Sequence, residues 1–178
     1  MNKLNFYEIF KSDVSRYGGG NLLLHHFRFL FWLRLAQHVS SPTLSLLCKV
    51  RLKLFSERYG LEIHPSCKIG KGFYIGHPFN ITINPKVEIG NNVNIHKGVT
   101  IGQENRGKRK GVPIIGNKVW IGVNTVIVGK IRIGDNVLIA PNTFVNTDIP
   151  SDSLVFGNPC VIKHKSDATE GYICNAVK

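Results

Sequence analysis

The chain has 178 residues, 43% hydrophobic and 19% charged, with a mean hydropathy of −0.02, which suits about one globular domain and excludes a chain too polar to bury a core. Lys and Arg number 23 against 11 Asp and Glu, a net charge of +12 with a pI near 9.8, so an anionic partner is expected: nucleic acid, a lipid surface, a phosphorylated cofactor or an acidic glycan. No apolar run approaches the roughly 20 residues of a membrane span, the start Met1-Asn2-Lys3-Leu4 lacks a secretory apolar stretch, and four scattered cysteines with no C-x-x-C pair suit a reducing cytoplasm.

Residues 1–60 make a first unit of helices. Phe6 begins a short helix that Gly18-Gly19-Gly20 ends. Residues 22–39 are long enough for a second, with Arg28 and Arg34 set among apolar and aromatic side chains. Pro42 interrupts, and residues 43–59 make a third helix with Lys49, Arg51, Lys53 and Arg58, closed by Gly60. Two readings stay open for this unit. The helices cap the open end of the domain formed by residues 61–165, or pack on a sister subunit. Alternatively the basic, aromatic-rich surface around Phe27, Phe29, Phe31 and Trp32 makes peripheral contact with anionic lipid, at the inner face of the membrane.

From residue 61 a period takes over. Isoleucines stand six apart at Ile63, Ile69 and Ile75, again from Ile83 to Ile101, and again from Ile115 to Ile139 and on to Val145. Glycine follows many of them, and a second apolar row lies two residues earlier, at Val87, Val93, Val99, Val119, Ile131 and Val137. Ordinary strands alternate with period two but do not hold a phase of six over some eighty residues. Each unit is a short strand and a turn, and stacked coils bury a continuous Ile/Val column. The fold expected for residues 61–165 is a parallel β-helix. Residues 166–178 read as a loose tail.

Two breaks interrupt the period. Two extra residues enter within Gly76-His77-Pro78-Phe79-Asn80, and eight enter between Gln103 and Val112. Insertions in solenoids collect on the binding face, so chemistry is sought there. His77 sits in the first break, and Glu62 stands fifteen residues earlier, on the neighbouring coil. A carboxylate beside an imidazole fixes its tautomer and leaves the other nitrogen to take a proton from an alcohol. Many such pairs are merely structural. The loop Glu104-Asn105-Arg106-Gly107-Lys108-Arg109-Lys110 is strongly basic, though charge runs are usually solvated. No nucleic-acid motif, P-loop or dinucleotide fingerprint accompanies the charge, and His64, His77 and His96 lack metal-site spacing.

The repeat resembles the hexapeptide-repeat acyltransferases, whose β-helix is left-handed, so the expected fold is an all-β left-handed parallel β-helix with an N-terminal α-helical cap. The stretch from Glu62-Ile63-His64-Pro65 to Ile75-Gly76-His77 is similar to the serine acetyltransferase subfamily and its sugar-modifying relatives. The resemblance implies His77 as general base, oriented by Glu62 where the subfamily usually has aspartate. It implies acetyl-CoA as donor, no metal, and a homotrimer with sites between adjacent β-helices. Gly102, Gly122 and Val123 match positions near the thioester with Lys163 further down the wall, while the loop cations Arg106 and Lys108 would meet the donor's phosphates or an anionic glycan. His96, Asp13 and Asn80 are further candidates for the catalytic or acceptor site. The chain departs from the serine enzymes at two places. Gly76 replaces an aspartate, and Gly111-Val112 replace an Arg-His pair before Pro113. Recognition of a zwitterion needs paired charges, so the acceptor expected from sequence is a carbohydrate hydroxyl, as in polysaccharide biosynthesis. Serine O-acetylation is the alternative.

Overall fold

A computed structural model describes residues 5–19 and 24–178. Helix α1 (Phe6–Ser15) starts at Asn5, whose side chain accepts from the Glu8 N–H while the Glu8 carboxylate accepts from the Asn5 N–H. Helix α2 runs His25–His38 and α3 runs Pro42–Tyr59. Gly20 and Leu22, which the sequence reading used as boundaries, lie outside the described residues. Gly60 ends α3 at φ 66°, in the left-handed region that a Cβ resists.

Five coils come next, each presenting three faces. The first holds β1 (Leu61–Ile63), β2 (Lys68–Ile69) and β3 (Tyr74–Gly76); the second β4 (Ile81–Ile83), β5 (Glu88–Ile89) and β6 (Asn94–His96). The third holds β7 (Thr100–Gly102), β8 (Ile114–Ile115) and β9 (Val119–Ile121); the fourth β10 (Val126–Val128), β11 (Arg132–Ile133) and β12 (Val137–Ile139). The fifth holds β13 (Phe144–Val145) and β14 (Ser153–Phe156), and β15 (Val161–His164) closes the chain's strands. Strands of one face pair in parallel from coil to coil, so Ile63, Ile83, Ile101, Ile127 and Val145 form one buried row. The corners turn on left-handed residues, mostly asparagines. One corner is bonded as a ladder, in which the Asn91 N–H donates to the Asn117 side chain and the Asn117 N–H to Asp135.

A stack of parallel strands leaves unpaired main chain at both ends, an invitation to edge-to-edge association. At the first coil the helical cap answers with side chains. Gln37 donates to the Cys67 carbonyl and Arg34 to those of Ile69 and Gly70. Ser12 accepts from the Gly72 N–H and Asp13 from the Phe73 N–H, while Arg16 donates to the Gly72 carbonyl. The Tyr17 hydroxyl serves both the N–H and the carbonyl of Ile75. These groups stand in for a missing coil. At the far end β15 pairs antiparallel with β14, which covers the edge of the third face.

The tail differs from its sequence expectation. Residues 165–178 run back along the coils, held by the Asn136 side chain at Thr169 and by Asn92 at both main-chain groups of Val177. Arg16 donates to the Cys174 carbonyl, so α1, the solenoid and the tail meet at one guanidinium. The asparagines that turn the corners also present side-chain amides outward, which is what a returning strand needs and what composition did not reveal.

Candidate functional site

His77 follows β3 at the corner where the third face turns back into the first. Its backbone is left-handed at φ 53° and its side chain is exposed. Seven of the nine non-glycine residues in this region among those described are Asn or Asp, whose short polar side chains tolerate it. A histidine held there is therefore a displayed group. The two extra residues of the break make this corner, with the Phe79 N–H donating to the His77 carbonyl at 2.8 Å and Asn80 also left-handed at φ 54°.

Glu62 points outward from β1, and among the described residues its carboxylate accepts only a long bond from the Thr82 hydroxyl, 3.4 Å. It lines a cleft of about 630 Å³ between α3 and the first face, shared with His64, Thr82 and Gly102. No hydrogen bond joins Glu62 to His77 among the described residues; the two flank the same edge from different faces. Gly122 and Val123 lie at the same corner as His77, where Val123 is stacked above Lys97 through the loop bonds of successive coils. The Gly122 N–H is committed to the Ile139 carbonyl, 2.9 Å, and so is not free for an oxyanion. Lys163 lies at the last edge on β15, its ammonium 5.5 Å from the Phe156 ring, well removed along the stack from His77. Arg106 and Lys108 are exposed at the tip of the eight-residue insertion. That insertion is a built hairpin, with Glu104 and Gly111 exchanging both main-chain bonds and Arg109 paired to Glu104 at 3.1 Å.

His96 pairs in register with Gly76 on the third face. Its Nδ1 lies 2.9 Å from the Ile121 carbonyl; a carbonyl only accepts, so Nδ1 carries the proton and Nε2 the lone pair. A Cβ on Gly76 would stand 2.5 Å from His96 Cδ2 and 2.7 Å from Nε2. The ring thus covers the spot where the aspartate of the resemblance would project. Burial holds the His96 imidazole below its ordinary range, opposed by the Ile121 carbonyl and reinforced by the charge of nearby His77. Tyr74 and Trp120 flank the ring, Trp120 at 4.6 Å between centroids. Sequence reading passed over both aromatics, although their register with Asn94 puts them on one face once the coil length is known.

Asp13 is placed differently from an acceptor-binding group. It is fully enclosed, 2.7 Å from Arg34, and its Oδ1 also accepts from the Phe73 N–H. Burial pushes its carboxyl up, against the pull of Arg34 and that N–H. Its role is to hold the cap on the first coil. Burial also pushes the Cys67 thiol up to about 11, so it is no thiolate nucleophile at neutral pH.

Residues 113–147 match the bacterial transferase hexapeptide model, which describes six repeats. The chain is 30% identical over 164 residues to a serine acetyltransferase of Synechococcus elongatus, across 91% of this chain and 67% of that one. The chain belongs to the hexapeptide-repeat transferase family. This hexapeptide-repeat transferase is also 40% identical over 99 residues to the serine acetyltransferase of Helicobacter pylori, a match that spans 58% of that protein's length. Among solved structures it resembles the Neisseria gonorrhoeae serine acetyltransferase in complex with serine, with a TM-score of 0.75, 28% identity, and coverage of 89% and 69% of the two chains. These findings correct the carbohydrate acceptor expected from sequence. That expectation rested on two positions, Gly76 and Gly111-Val112, whereas the likeness to serine enzymes runs through cap and solenoid alike.

Proposed function

We propose that this protein is an acetyltransferase that moves the acetyl group of acetyl-CoA to the hydroxyl of serine. The observation that carries this reading is its likeness to a serine acetyltransferase through 91% of the chain. His77, displayed at its corner, takes the proton from the serine hydroxyl. The oxygen then attacks the thioester carbonyl, the C–S bond breaks, and the departing thiolate recovers the proton from the imidazolium. Products are O-acetylserine and the CoA thiol, without an acyl-cysteine or a metal. Glu62 is assigned to orient His77 by turning from Thr82, and the neutral His96 forms the wall beside it. Gly102 and Val123 face the thioester, and the cations of the insertion face the donor's phosphates. The assembly is a cytoplasmic homotrimer with clefts closed by adjacent β-helices.

The test is release of CoA thiol from acetyl-CoA with and without L-serine. Release that requires L-serine, and falls at least about 100-fold in His77→Ala with an unchanged unfolding midpoint, is the expected result. Silence with L-serine, a dependence on a sugar hydroxyl instead, or an undiminished His77→Ala rate would each overturn the reading.

A further inference from the structure

Helix α3 has two apolar faces. Cys48, Leu52 and Phe55 are buried, Leu52 and Phe55 in the core shared with the solenoid. On the opposite side Leu46, Val50 and Leu54, spaced by four, are 63%, 49% and 50% exposed. None of the described residues covers this second stripe. Helical geometry sets Lys49 and Lys53 along one margin of it and Arg51 and Arg58 along the other. On the arginine margin a cleft of about 400 Å³ opens between α2 and α3, with Arg28, Arg51 and Arg58 around the rings of Trp32 and Tyr59. Two of the guanidiniums lie over those rings, Arg51 at 5.7 Å from Trp32 and Arg58 at 5.5 Å from Tyr59. Five exposed cations on these helices meet a single carboxylate, Glu57, which is 3.5 Å from Lys53.

We propose that this face docks on an anionic lipid bilayer, with Leu46, Val50 and Leu54 entering the acyl boundary and Arg28, Arg51 and Arg58 holding lipid phosphates. An exposed apolar stripe between two rows of cations is the chemistry that an anionic membrane surface satisfies. A second copy of the chain satisfies it poorly. Two such faces brought together would bury ten cations against two carboxylates, both already engaged. The inference stands apart from the acceptor and from the catalytic groups.

The experiment is flotation of the full chain with vesicles of phosphatidylcholine, with or without 30% phosphatidylglycerol, read beside the emission shift of Trp32 in a Trp120→Phe background. Binding to the anionic vesicles alone is expected, weakened by 0.5 M salt. Val50→Glu/Leu54→Glu and Arg28→Gln/Arg51→Gln/Arg58→Gln should each lower the apparent affinity by about tenfold or more, with His77-dependent thiol release unchanged. No binding, or equal binding to neutral vesicles, would overturn the proposal. So would loss of vesicle binding in 10 mM inorganic phosphate at matched ionic strength, which would mark a site for soluble anions. A mass that drops in Val50→Glu/Leu54→Glu without any vesicle binding by the parent chain would assign the stripe to a second copy.

Discussion

Gly76 and His96 are a matched pair. The imidazole occupies the volume beside the glycine, is fixed there by the Ile121 carbonyl, and leaves its lone pair toward the His77 corner. Restoring an aspartate at position 76 would set a Cβ 2.5 Å from His96 Cδ2, closer than atoms pack, so the ring must shift and strain its bond to the Ile121 carbonyl. Gly76→Asp is expected to cost about 1–3 kcal/mol in chemical unfolding, as overpacked sites do. The double variant Gly76→Asp/His96→Ala should recover part of that loss. Additive losses in the double variant would show that the two positions are not coupled.

At the scale of elements, one buried ion pair sits at the centre of the cap's seat on the first coil. Arg34 reaches both oxygens of Asp13 and two carbonyls of the first coil, with neither charged group exposed. Arg34→Met leaves the Asp13 carboxylate buried without its partner and two carbonyls unbonded. The expected cost is about 3–5 kcal/mol, read as a lowered unfolding midpoint, and a loss below 1 kcal/mol would show that the cap does not depend on the pair. This arrangement also marks where sequence reading stops. The Ile/Val period disclosed the solenoid because burial repeats with the coil, and the two period breaks disclosed the His77 corner and the basic hairpin. Asp13 and Arg34 carry no such signal. They lie 21 residues apart on separate helices, and only tertiary packing brings them together. The tail was equally opaque, since its bonds come from single asparagines whose first task is to turn a corner. Tyr74, His96 and Trp120 became a cluster only once the strand register was fixed.

For the molecule as a whole, His25, His26 and His96 are all held below their ordinary range by burial. The native state therefore binds fewer protons at these sites than the unfolded chain does. Stability from them is complete above the unfolded value near 6.5 and is lost as pH falls below it toward their folded values. The unfolding midpoint should drop between about pH 7 and pH 5, and His96→Gln should flatten part of that slope. A midpoint indifferent to this interval would refute the protonation argument. The manner in which the cap meets the first coil has one more consequence. Gln37, Arg34, Ser12, Asp13, Arg16 and Tyr17 address amide and carbonyl groups, which every residue type supplies. Tolerance to replacement is therefore lopsided across that junction. Apart from the site residues Glu62, Tyr74 and His77, the outward side chains of the first coil are free to drift, whereas the six residues that read its backbone have few acceptable substitutes, and the cap would seat on another solenoid whose opening coil keeps the same path and an apolar interior but differs in its outward residues.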